Sequence, residues 1–141
     1  MSLYMNETPP LTPEAPISLE KKYVLKIQRL THVEELKKDI EAEMERPTTN
    51  SWPACLSTQI ANVLAYAGFL ARKGFILKDD MSHIEQSVNE FKASQDELTA
   101  RFPDRDNSPE DSEKDIYIAK VAEIAGAVFN VVQNREGIMG E

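Results

Sequence analysis

Between Pro53 and Gly74 the chain carries no acidic residue, although Asp and Glu make up 24 of its 141 residues. At a hundred degrees per residue, Leu56, Ile60, Val63, Leu64, Ala67, Leu70 and Ala71 fall on one stripe of a helix. The opposite side is small rather than charged. Ala61, Ala65 and Gly68 form a second strip, flanked by Tyr66 and Phe69. A helix with so little polarity on either side reads as the central, most buried helix of its fold. Pro53 near its start, Asn50 or Ser51 as cap and Gly74 as exit bound it.

Three more helical patterns surround it. The first runs from Ser18 to Arg46, with Leu19, Tyr23, Ile27, Leu30, Val33, Ile40 and Met44 at spacings of three, four or seven. Thr31-His32-Val33-Glu34 has the form of a capping box, in which Thr31 accepts from the backbone and Glu34 reaches back. The helix is therefore expected to bend or restart there, and Pro47 stops it. The third runs from Asp79 to Phe102 with Asp79 or Asp80 as cap. Its core row is Met81, Ile84, Val88, Phe91 and Leu98, and Gln95 falls on that row. The fourth follows the acidic loop 103–112 to about Arg135, starting at Ser108 or Ser112. Tyr117, Val121, Ile124, Ala125, Val128 and Val132 form its stripe, and Gly137 ends it.

The expected fold is all-α, a four-helix up-down bundle joined by short loops. The alternative is an α+β domain with a small strand over Tyr23–Ile27. Pro9, Pro10, Pro13 and Pro16 mark residues 1–17 as a disordered arm, expected to be dispensable for stability. The bundle domain spans 18–136 and a frayed tail 137–141.

The motifs that carry chemistry fail one by one. Cys55 is the single cysteine, so an intrachain disulfide is impossible, and neither His32 nor His83 is tied to it by local sequence. It reads as a structural thiol. Asp104-Arg-Asp106-Asn-Ser108 opens like a calcium loop. It then puts Pro109 where the sharp turn needs glycine, and Asp115 where glutamate is usual. Asp79, Asp80 and His83 sit where a helix N-terminus already favours aspartate. Glu34 and Glu35, each followed three residues later by a lysine, give ion pairs on a solvated face. The acid-free central helix removes the second wall of any carboxylate metal cup. Neither GxxxxGK nor GxGxxG occurs. No cofactor and no bound metal are expected.

The formal charge of −8 argues against nucleic acid and anionic membranes as partners, since phosphate affinity comes mainly from Lys and Arg. Lys21, Lys22, Lys26 and Arg29 form a local basic patch only. No run of eighteen apolar residues and no signal-peptide pattern are found, so the expectation is a cytoplasmic protein without a membrane-spanning helix. Two functions are carried forward. The first is a non-enzymatic interaction or inhibitor-type protein, binding a protein partner or itself, with Ala61, Ala65, Tyr66, Gly68 and Phe69 as its surface. The second is an enzyme or ligand carrier whose site is assembled inside the bundle from Gln59, Asn62, Tyr66 and His83. A closed apolar interior favours the first, and polar groups converging on a cavity favour the second.

Overall fold

The computed structural model describes residues 18–47 and 51–133. The expected arm at 1–17, the tail at 137–141 and the helix exit at Gly137 lie outside the described residues. Five helices are present: α1 (Leu19–Leu30), α2 (Val33–Met44), α3 (Trp52–Arg72), α4 (Lys78–Arg101) and α5 (Asp111–Gln133). No strand occurs among the described residues, and Tyr23–Ile27 lies inside α1. The fold is all-α, as expected, but the first of the four expected helices is two.

The break falls at Thr31-His32, and its mechanism differs from the expected capping box. Thr31 is itself in the right-handed helical region, so it ends α1 rather than starting α2. Its amide and its hydroxyl both donate to the Gln28 carbonyl, the hydroxyl at 2.6 Å. His32 has the extended backbone an N-cap requires and makes no side-chain cap bond. Across the break, the Arg29 guanidinium lies 3.0 Å from Glu35 and 2.8 Å from Asp39. The run from basic to acidic along residues 21–45, unfavourable for a single helix dipole, thus becomes ion pairing between two helices.

Other ends follow local chemistry more closely. Ser18 Oγ accepts from Lys21 N–H at 3.1 Å and Ser51 Oγ from Ala54 N–H at 3.3 Å, each the standard N-cap arrangement. At the end of α3, Gly74 N–H donates to the Ala71 carbonyl and Phe75 N–H to the Leu70 carbonyl. Gly74 has φ 87°, the left-handed conformation this Schellman closure needs. The expected caps Asp79 and Asp80 are not caps. Leu77 holds that position with no side-chain bond, and the two carboxylates sit in the first turn, where the dipole favours them. Helix α5 starts at Asp111, which leaves Ser112 inside its first turn.

Helix α3 packs against all four others, but so does α5, so the core is built around two helices rather than the single central helix expected. Val24 and Ile27 of α1, Leu36 and Ile40 of α2, Leu98 of α4 and Val121, Ala125 and Val128 of α5 are buried with its stripe in one continuous core. Gln95, late in α4, meets Pro53 and Ser57 at the start of α3, so these two helices run antiparallel. One expectation about α3 is corrected. By length and composition it is long and apolar enough to cross a membrane, because the polar residues that interrupt its apolar run are uncharged. The core helix of a globular bundle passes the same test, and this helix has a buried face against every other element.

Candidate functional site

The interior is largely apolar among the described residues. Its side chains are Val, Ile, Leu, Phe and Ala together with Trp52 and Cys55, and the buried polar side chains within helices are Gln59 and Gln95. The four residues expected to assemble an internal site are not gathered. Tyr66 stacks on Tyr23, Gln59 is buried on α3, Asn62 is half-buried, and His83 is exposed on α4. Cys55 is 1% exposed, and burial pushes its thiol up to about 11, far from the reactive thiolate a nucleophile requires. No group of three or more His, Cys, Asp or Glu gathers to hold a metal among the described residues. In the calcium-like segment, Arg105 reaches back to α2, its guanidinium donating to the Met44 and Arg46 carbonyls at 2.5 and 2.6 Å.

Concave surface among the described residues lies outside the core: a shallow hollow of about 470 Å³ at the α1–α2 break, lined by Thr31, His32, Val33, Glu34 and Glu35, and a groove along the seam of α4 and α5. The groove, of about 390 Å³, has Phe91, Ile124 and Ala127 on its floor and Glu90, Lys120 and Glu123 at its rim. It continues into a smaller hollow of about 110 Å³ that shares Ser87, Ile124 and Ala127 and reaches Asp80, His83 and Val131. The charged groups of this seam project to solvent rather than converging on one point.

The strip on α3 is split by the fold. Ala61 and Ala65 are exposed, and no helix among the described residues covers them. Gly68 is half-buried, and a Cβ there would meet only the end of the Arg72 side chain at 3.6 Å, an ordinary contact. Among the described residues, therefore, the small residues serve no close approach of two backbones. Tyr66 and Phe69 do have partners: the Tyr23 ring of α1 lies 5.1 Å from Tyr66 and 4.5 Å from Phe69. The Lys73 ammonium stands 5.6 Å above the Phe69 ring. All three rings are half-buried, so their outer edges form a surface.

Around these rings the chain gathers exposed apolar and basic groups. Leu19 is 51% exposed one turn before Tyr23, and Leu77 is 53% exposed just beyond the Gly74 turn. Residues 18–26 and 72–80 carry six cations (Lys21, Lys22, Lys26, Arg72, Lys73 and Lys78) against three carboxylates, Glu20, Asp79 and Asp80. The chain as a whole has the reverse balance, 16 basic to 24 acidic residues. Sequence order hid this end, because its two segments are some fifty residues apart and are brought together by the packing of α1 on α3 around Tyr23, Tyr66 and Phe69. Comparison with known proteins gives no matching family model, curated protein or solved structure.

Proposed function

We propose that this chain is a non-enzymatic docking protein, working through its outer surface rather than through an internal site. The closed apolar interior carries the reading. A catalytic or carrier site needs polar groups converging in a water-excluding concavity. Here, among the described residues, the core is filled mainly by aliphatic side chains, with Gln59 and Gln95 as its buried polar groups within helices and Gln95 held by Pro53 and Ser57. The buried, high-pKa Cys55 removes the one candidate nucleophile. The half-exposed Tyr23–Tyr66–Phe69 cluster and the adjoining face of Ala61, Ala65 and Gly68 supply one docking surface. The seam of α4 and α5 supplies a second, suited to a protein partner or a second copy. We take the bundle to be up-down with four rungs, α1 and α2 forming one bent rung. The antiparallel pairing of α3 with α4 supports this, as does the placement of Tyr23 beside the end of α3. A cytoplasmic setting fits the single unpaired thiol.

Thermal shift tests the reading. A ligand that binds only the folded chain raises its stability by about 2.7 kcal/mol at a hundred times its Kd, a shift of several degrees in a domain this size. A panel of nucleotides, metabolites, acyl chains and divalent cations is expected to leave Tm unchanged. A saturable rise with any of them would overturn the docking reading in favour of a carrier or enzyme.

A further inference from the structure

We propose that the end of the molecule built from the first turns of α1 and the α3–α4 connection docks on an anionic lipid surface. The inference rests on the docking reading above and assigns one of its partners. Two of the four large apolar side chains exposed in the structure, Leu19 and Leu77, stand at this end. Their shared location follows from two contacts. Tyr23 against Phe69 places the start of α1 beside the exit of α3, and the Gly74 turn then carries the chain directly to Leu77. Leu19 opens α1 and Leu77 is the N-cap of α4, so each exposed leucine stands at a helix end. Exposed apolar side chains at helix ends, with cations close by in sequence, suit a soft, planar anionic acceptor. Behind the leucines come the half-exposed rings of Tyr23, Phe69 and Phe75, aromatic groups of the kind that settle at a membrane–water interface.

Charge selects the acceptor. Lys22, Lys26, Arg72, Lys73 and Lys78 are exposed around the leucines. Facing them are Glu20 in the first turn of α1 and Asp79 and Asp80 in the first turn of α4. The other described residues carry nine cations against seventeen carboxylates, so the described part of the molecule is polarised and an anionic plane attracts this end more than the rest. Net charge alone argued against a membrane partner, but it averages over a surface that the fold has sorted. Each lysine close to an anionic leaflet strengthens attachment about fivefold, and the exposed leucines add apolar insertion that a purely electrostatic partner could not use.

Flotation of the full chain with vesicles tests this. Phosphatidylcholine vesicles holding about one third phosphatidylserine, a strongly anionic surface, should retain the protein, and pure phosphatidylcholine should retain far less. Raising the salt should weaken retention on the anionic vesicles. The pair Lys22→Glu and Lys73→Glu should lower partitioning at least tenfold. Leu19→Ser with Leu77→Ser should lower it about fivefold or more. Charge reversal elsewhere, Lys38→Glu with Lys92→Glu, should change it little. All six side chains are exposed or project to solvent, and an unchanged helical circular-dichroism spectrum for each variant verifies folding. Equal retention on neutral and anionic vesicles, or retention indifferent to the lysine pair, overturns the proposal. So does binding that a DNA oligonucleotide competes for with no dependence on the leucines, since the surface would then be a general polyanion site. Failure here with a flat thermal-shift panel removes the lipid and leaves the docking reading standing, whereas a saturable small-molecule shift removes the docking reading itself.

Discussion

Gln95 is the residue at which pattern and physics meet most directly. It occupies the core row of α4 and is 4% exposed, so its amide must find partners inside the protein or cost the fold its desolvation. Its Nε2 donates to the Pro53 carbonyl at 2.9 Å and reaches the Ser57 hydroxyl. The bond joins the late part of α4 to the first turn of α3 and fixes their register, which aliphatic contacts alone specify loosely. Gln95→Leu keeps the volume and removes the donor, leaving the two α3 oxygens with one partner fewer. Urea unfolding is expected to give a loss of about 1 kcal/mol, the usual net worth of one such bond. Equal or greater stability would mean that the amide is merely tolerated at this position. Cys55 shows the complementary case. It reads in the sequence as a structural thiol, and the structure buries it: burial first, then the Glu43 carboxylate, raises its pKa, and Arg105 opposes them only in part.

The helices differ in how much of their boundaries the sequence could announce. Ser18, Ser51 and Gly74 act through their own side chain or backbone freedom, and each lies where its residue type indicates. The break in the first helix was legible as a position, Thr31, but not as a mechanism, because a threonine can close one helix as well as open the next. Arg105 gave no signal at all, since its partners are main-chain carbonyls some sixty residues away. The Met44 carbonyl is the last of α2, an acceptor without an intrahelical donor, and the Arg46 carbonyl lies just beyond the helix. The guanidinium satisfies both, complements the negative end of the helix dipole and ties the acidic loop after α4 to the bundle. Arg105→Ala is expected to cost about 1–2 kcal/mol, as charge-assisted bonds of this kind do. It should also speed amide hydrogen exchange both in residues 103–108 and in the last turn of α2. Faster exchange confined to the loop would mean that Arg105 anchors the loop without capping the helix.

At the scale of the whole molecule, helix content and the burial of α3 could be read from hydrophobic spacing, because each stripe reports its own burial. What covers a face could not, since that depends on where other elements end up. The Ala61–Ala65–Gly68 strip illustrates this. Its spacing suits a close helix neighbour, yet four helices satisfy α3 on the arc centred on Leu56, Val63, Ala67 and Leu70 and leave Ala61 and Ala65 in solvent. The grouping of basic residues at one end escaped for the same reason. These facts set a prediction with two readouts. In the isolated chain, Ala65→Leu has nothing to overpack and replaces one strong helix former by another, so its stability should stay within about 0.5 kcal/mol of the parent. If α3 alone presents this face, both proteins should also have the mass of a single chain in sedimentation. A parent that sediments as a dimer and a variant that does not would assign the strip to self-association, because leucine at a small-residue contact holds the two backbones apart. A stability loss of 1–3 kcal/mol with unchanged mass would instead place a neighbour of the same chain over Ala65, contrary to its exposure here.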